Sequence, residues 1–64
     1  MADTAQFLDN LIAQIDKDIL ELEQGTAIFS KPPYQDQERM EWCIKTAVTF
    51  KTTKEAAVKL RGTI

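Results

Sequence analysis

Apolar residues in the first third of the chain recur at alternating steps of three and four positions. The series comprises Ala5, Leu8, Ile12, Ile15, Ile19 and Leu22. This spacing places every member on one side of an α-helix, in the heptad pattern of helices that pack lengthwise against other helices. Phe7, Leu11 and Leu20 widen the apolar surface beyond that stripe. The pattern therefore favours a helix within a bundle or globular core over an isolated two-stranded coiled coil.

The limits of this first helix are predicted from residue types that favour helix ends. Asp3 is a good N-cap, and Gln6 three positions later completes a start that resembles a capping box. Gly25 follows the last apolar position, where many helices end in a left-handed glycine. We predict a helix over residues 4–24.

Residues 25–33 are predicted to connect this helix to the next one. Two consecutive prolines follow Lys31 and hold the backbone extended. Ile28 and Phe29 are apolar residues within the connection. They either cover the open end of the core between the helices or form an exposed anchor for a partner.

A second helix is predicted over residues 34–50, with proline favouring a start near Tyr34. Its apolar face would carry Met40, Cys43, Ile44, Ala47 and Val48, with Phe50 at the edge. A strand-like alternation of β-branched and aromatic residues competes with this interpretation over residues 44–52. Helix is favoured because the helical face already begins at Met40 and residues 35–43 show no strand pattern.

The end of the chain is predicted to form a short third helix over residues 53–61. The sequence Thr-Thr-Lys-Glu that begins at Thr52 fits a capping box, and Gly62 is a suitable stop. A continuous second helix would also place Lys51 and Lys54 on the apolar face. Both observations predict a kink or a new start near Thr52.

Composition makes self-association the expected completion of this fold. A chain of 64 residues buries only about 60% of its unfolded surface, so its stability alone is marginal. It has one cysteine, Cys43, and no histidine, so it can form neither an intrachain disulfide nor an ordinary structural zinc site.

The expected fold is a single all-α domain over residues 1–64. It is an antiparallel two-helix hairpin with a short third C-terminal helix, completed into a helical bundle as a homodimer or higher homo-oligomer. The predicted self-association core is formed by Leu8, Ile12, Ile15, Ile19 and Leu22.

Composition also narrows the classes of function. Without histidine there is no Ser–His or Cys–His pair, and Gly25 and Gly62 are too far apart to build a phosphate-binding loop. We predict that the protein is not an enzyme and uses no cofactor or metal. No apolar run is long enough to cross a membrane, and the first residues do not resemble a secretory signal. Together with the single thiol, these features predict a cytoplasmic protein without membrane contact.

Charge is divided between the two halves of the chain. Residues 1–24 contain six acids and one base, whereas residues 25–64 contain seven bases and four acids. The predicted acidic stripe repeats every seven residues and consists of Asp9, Asp16 and Glu23. The C-terminal bases are Lys45, Lys51, Lys54, Lys59 and Arg61. These two sets either pair across antiparallel helices or steer a charged partner.

Trp42 is the strongest candidate for a contact residue. A helical wheel places it about 160° from the mean direction of Met40, Ile44 and Ala47, and therefore away from the core. Exposed tryptophan commonly anchors protein interfaces, as do tyrosine and arginine. Trp42 is expected to pack either against a second copy of the chain or against a foreign partner. The predicted partner-binding residues are Phe29, Tyr34, Arg39 and Trp42.

These residues lead to three functional hypotheses. The first is a non-enzymatic protein-interaction module that acts as an inhibitor, adaptor or regulator, with the acidic stripe setting specificity. The first alternative is a nucleic-acid-binding regulator that aligns the C-terminal bases of a dimer, although the chain is not basic overall. The second alternative is an oligomer that sequesters a small anionic ligand such as a nucleotide, using Tyr34, Arg39 and Lys45 at a subunit junction.

Overall fold

Two antiparallel helices form the fold. The computed structural model of the protein describes the backbone of residues 2–64 and the side chains of residues 3–64; Met1, the first residue of the predicted domain, lies outside them. Helix α1 spans Ala2–Phe29 and helix α2 spans Gln37–Gly62, with no strand among the described residues. The two pack lengthwise into a hairpin with dimensions of 49 × 15 × 11 Å. The predicted all-α class is confirmed.

The predicted heptad of α1 faces α2. Leu8, Ile15 and Ile19 are buried, and the remaining members of the series, Ala5, Ile12 and Leu22, are half-buried. The spacing alone was therefore enough to identify the packing side of α1. These residues form the seam between the two helices of one chain.

Helix α1 does not end at Gly25, contrary to the prediction. It starts at Ala2, before the predicted limit, and continues through Gly25 to Phe29. Gly25 has no left-handed φ. A Cβ atom at this position would lie 3.0 Å from the Cys43 Sγ atom, so the glycine allows α2 to approach closely. The close contact between the helices thus explains why glycine occurs at position 25, where the sequence pattern predicted the end of a helix.

This contact predicts how Gly25→Ala will behave. In a Cys43→Ala background the substitution should raise the free energy of unfolding by about 1 kcal/mol, because alanine is the better helix former. With Cys43 present the gain should shrink or reverse, because the new methyl group meets the thiol. Urea unfolding of the four proteins in this double-mutant cycle measures the difference. An equal effect in both backgrounds would contradict the close contact.

The connection between the helices is shorter than predicted. Residues 30–36 form it, and α2 begins at Gln37 rather than near Tyr34. The reason is a stronger N-cap, since the Asp36 side chain accepts a hydrogen bond of 3.1 Å from the Arg39 backbone N–H. The Asp36 N–H in turn donates to the Phe29 carbonyl oxygen at 2.9 Å, which ties the two helix ends together.

Helix α2 runs without a break, so residues 44–50 are helical and the predicted separate helix over residues 53–61 is absent from the described chain. The capping box at Thr52 is not used. The Thr52 and Thr53 hydroxyls instead donate to carbonyl oxygens four residues earlier, at 3.2 and 3.1 Å. Both hydroxyls are therefore satisfied inside a continuous helix, which removes the reason for a kink.

The buried side of α2 also differs from the predicted one. Cys43 and Ala47 are buried as expected, but Ile44 and Val48 are exposed. The seam instead follows a heptad series whose members are all buried or half-buried: Met40, Cys43, Ala47, Phe50, Lys54, Ala57 and Arg61. Small buried residues on α2 thus oppose the large apolar residues of α1, which brings the helices close together.

Candidate functional site: two faces of the hairpin

A two-helix hairpin buries one seam and leaves two long faces open. In the described part of the chain, eleven large apolar side chains remain exposed. Soluble monomeric proteins seldom expose contiguous apolar patches of more than a few hundred Å² without using them. The two faces of the hairpin are therefore the candidate interaction sites.

The first face is named the valine face. It combines a groove of about 740 Å³ and an adjoining one of about 280 Å³, which share Glu23 and Lys51. Its exposed apolar residues are Leu20, Ile44, Val48 and Val58. Its described charged residues are three acids and three bases: Asp16, Glu23, Glu55, Lys51, Lys54 and Lys59. The valine face is thus apolar and carries no net charge.

The opposite face is named the tryptophan face. A groove of about 420 Å³ is lined by three aromatic residues, Phe29, Trp42 and Phe50. Asp18 and Glu21 of α1 line the same groove, and no basic residue does so among the described side chains. The remaining lining residues are Leu22, Gly25, Cys43 and Thr46. This face is therefore aromatic and negatively charged.

The structure brings together three of the four predicted partner-binding residues. Trp42 is 63% exposed and lies on the tryptophan face with Phe29. The Arg39 guanidinium lies over the Phe29 ring, 5.7 Å from its centroid, and its Nε atom is 3.5 Å from an Asp36 carboxylate oxygen. Tyr34 is exposed in the connection and does not line the groove.

Two members of the predicted acidic stripe pair with bases of α2. Asp9 receives a hydrogen bond of 2.9 Å from the Arg61 Nε atom, and the Asp16 carboxylate lies 2.6 Å from the Lys54 Nζ atom. Both pairs are substantially exposed and contribute about 0–1 kcal/mol each. Glu23 lies on the valine face. The stripe therefore helps to set the antiparallel register.

The same pairing weakens the case for a nucleic-acid surface. Two of the five C-terminal bases, Lys54 and Arg61, are engaged by carboxylates of α1. Lys51 and Lys59 lie on the valine face beside acids.

The three residues predicted to bind a small anion, Tyr34, Arg39 and Lys45, are not brought together either. Arg39 and Lys45 point about 120° apart on one helix, because six residues separate them.

The residues predicted as a self-association core are used within one chain. Leu8, Ile15 and Ile19 are buried in the seam, and Ile12 and Leu22 are half-buried there. Side chains on the two faces thus form the surface open to a partner. Sequence reasoning missed the valine face, although a second heptad on α2 marks it: Ile44, Val48, Lys51, Glu55 and Val58.

Other kinds of site are not found in the described chain. Within residues 2–64, no group of three or more His, Cys, Asp or Glu side chains could hold a metal ion. Neither α1 nor α2 is apolar enough along its length to cross a membrane. Cys43 is a free, buried thiol. No protein-family model, curated protein or solved structure matches the chain.

Proposed function

We propose that the protein is a small non-enzymatic interaction module that works as a homo-oligomer. In this proposal the valine face joins copies of the chain into a helical bundle. The tryptophan face remains available to a partner protein, on which the assembly acts as an inhibitor, adaptor or regulator. A reducing cytoplasm suits its single thiol, Cys43.

The observation that carries the proposal is the amount of surface left open. The chain exposes 4965 Å², whereas a compact monomer of its 7.3 kDa mass exposes about 4200 Å². The excess is close to the roughly 800 Å² that each partner contributes to a standard protein interface. Much of it is apolar, since exposed residues such as Leu20, Val48 and Val58 lie along one face.

The charges on the two faces support different partners for each. A second copy brings the same charges as the first, so a face without net charge favours self-association, whereas a face with only acids opposes it. The valine face has the first property and the tryptophan face the second. Two hairpins that join at their valine faces would form a four-helix bundle, the common way for such helices to complete a core.

Sedimentation velocity of the purified chain over a range of concentrations tests this proposal. The wild type should sediment as a species heavier than one chain. Val48→Glu should weaken self-association at least about tenfold, because it places a charge in the apolar centre of the interface. Val48 is 59% exposed in the single hairpin, so the variant should still fold as a helix.

Leu60→Glu is the matched control. Leu60 is also an exposed apolar residue of α2, but it does not line either groove of the valine face. The control should therefore self-associate like the wild type. A wild-type chain that stays monomeric at several hundred micromolar would contradict self-association. Equal weakening by both variants would contradict its assignment to the valine face.

A further inference from the structure

The groove of the tryptophan face has a chemistry that selects its occupant. We infer that it binds a basic segment of a partner protein, with a lysine or arginine side chain placed on Trp42 between the two carboxylates of Asp18 and Glu21. This inference rests on the proposed function in one respect, namely that the partner is a protein. It adds the chemical class of the segment that binds.

The aromatic residues supply the first part of the argument. Phe29, Trp42 and Phe50 line one groove, and Trp42 is largely exposed. Tryptophan is the best aromatic acceptor for a cation placed over its ring, and such contacts strengthen when they are shielded from water. The protein already contains one cation in this setting, since Arg39 lies over Phe29 at 5.7 Å. This guanidinium pairs with Asp36 and does not line the groove, so it leaves Trp42 open.

The carboxylates supply the second part. Asp18 and Glu21 lie on the α1 side of the groove, while the α2 side presents Thr46, which is neutral. Asp18 is held in place by a hydrogen bond of 3.0 Å from the Gln14 side-chain amide. A cation over Trp42 is therefore attracted by both the ring and the acids.

The same charges disfavour the other candidate occupants. Nucleic acid and anionic lipid would bring negative charge to Asp18 and Glu21. A second copy would bring the same two acids. A purely apolar segment would cover both carboxylates without pairing them, which costs free energy. A basic protein segment satisfies the aromatic and the acidic residues together.

Trp42 is the only tryptophan of the chain, so its fluorescence reports on this groove directly. The probe is a short peptide of alternating arginine and alanine, compared with peptides in which glutamine or glutamate replaces each arginine. The arginine peptide should change the Trp42 emission in a saturable way that weakens with added salt. The glutamine and glutamate peptides should leave the emission unchanged.

Two double variants with the same net charge distinguish binding in this groove from a general attraction between the acidic protein and the basic peptide. Asp18→Asn with Glu21→Gln should weaken binding of the arginine peptide about five- to tenfold. Asp3→Asn with Glu55→Gln removes two exposed acids that lie far from Trp42 and do not line its groove, and should change binding less than about twofold. Equal loss in both double variants, or equal binding of the glutamine peptide, would overturn the inference.

The experiment also distinguishes this inference from the proposed self-association. Val48→Glu should bind the arginine peptide as the wild type does, and Asp18→Asn with Glu21→Gln should still sediment as an oligomer. A Trp42 emission that changes with the protein's own concentration would assign the groove to a second copy and overturn the inference. No change of emission with the arginine peptide would overturn it while leaving self-association in place.

Discussion

Ile15→Ala is expected to lower the free energy of unfolding by about 2–4 kcal/mol. Ile15 is 7% exposed and lies at the centre of the apolar stripe of α1, between Leu8 and Ile19. The hairpin is only two helices thick, so its single seam supplies most of its stability. A core of this size rarely provides more than about 3–5 kcal/mol, and the variant should therefore be largely unfolded at 37 °C. Urea unfolding followed by circular dichroism at low protein concentration measures the loss.

Leu20→Ala is the matched comparison on the same helix. Leu20 is 57% exposed on the valine face, so its truncation should change the stability of single chains by less than about 1 kcal/mol. At high concentration the loss should grow, because Leu20 then contributes to contacts between copies. Equal losses for Ile15→Ala and Leu20→Ala at low concentration would mean that Ile15 does not face α2.

The fold of α1 could be predicted because one strong pattern determines it. Its apolar series keeps the same step from Ala5 to Leu22, and the structure buries or half-buries every member. The pattern continues beyond Gly25 to Thr26 and Phe29, which are also half-buried. The predicted end of α1 at Gly25 was wrong because glycine is favoured both at helix ends and where two helices approach closely. Only the position of Cys43 beside Gly25 shows that the second reason applies.

The seam of α2 was harder to predict because two of its positions carry long basic side chains. Lys54 and Arg61 occupy seam positions and are half-buried, with their charged ends on Asp16 and Asp9. Such side chains can cover apolar surface while the charge stays at the edge. In the sequence alone, where the position of α1 is unknown, a lysine on the apolar face of a predicted helix indicates a break in that helix.

The candidate sites, like the fold, could be predicted only in part. The outward direction of Trp42 followed from the helical period, and its exposure in the structure agrees with it. The contribution of Asp18 and Glu21 could not be deduced, because their position beside Trp42 depends on the register between the helices. The valine face depends in the same way on which side of α2 is buried.

Ala57→Asp is expected to lower the free energy of unfolding about as much as Ile15→Ala does. Ala56→Asp, at the neighbouring position, is the control. Ala57 is 7% exposed in the seam, whereas Ala56 is exposed. Aspartate at either position carries the same helix-propensity cost. Only at position 57 does it bury a charge, which should lower the free energy of unfolding by about 3 kcal/mol more than Ala56→Asp.

The pH dependence identifies the cause of this difference. Burial raises the folded-state pKa of the introduced carboxyl above its unfolded value of about 3.9. The folded chain then binds more protons than the unfolded chain between these two pKa values, so stability falls as the pH rises through them. The deficit of Ala57→Asp relative to Ala56→Asp should therefore be largest at neutral pH and smaller near pH 4. A deficit that does not vary with pH would instead indicate a steric defect, and no deficit would mean that Ala57 does not face α1.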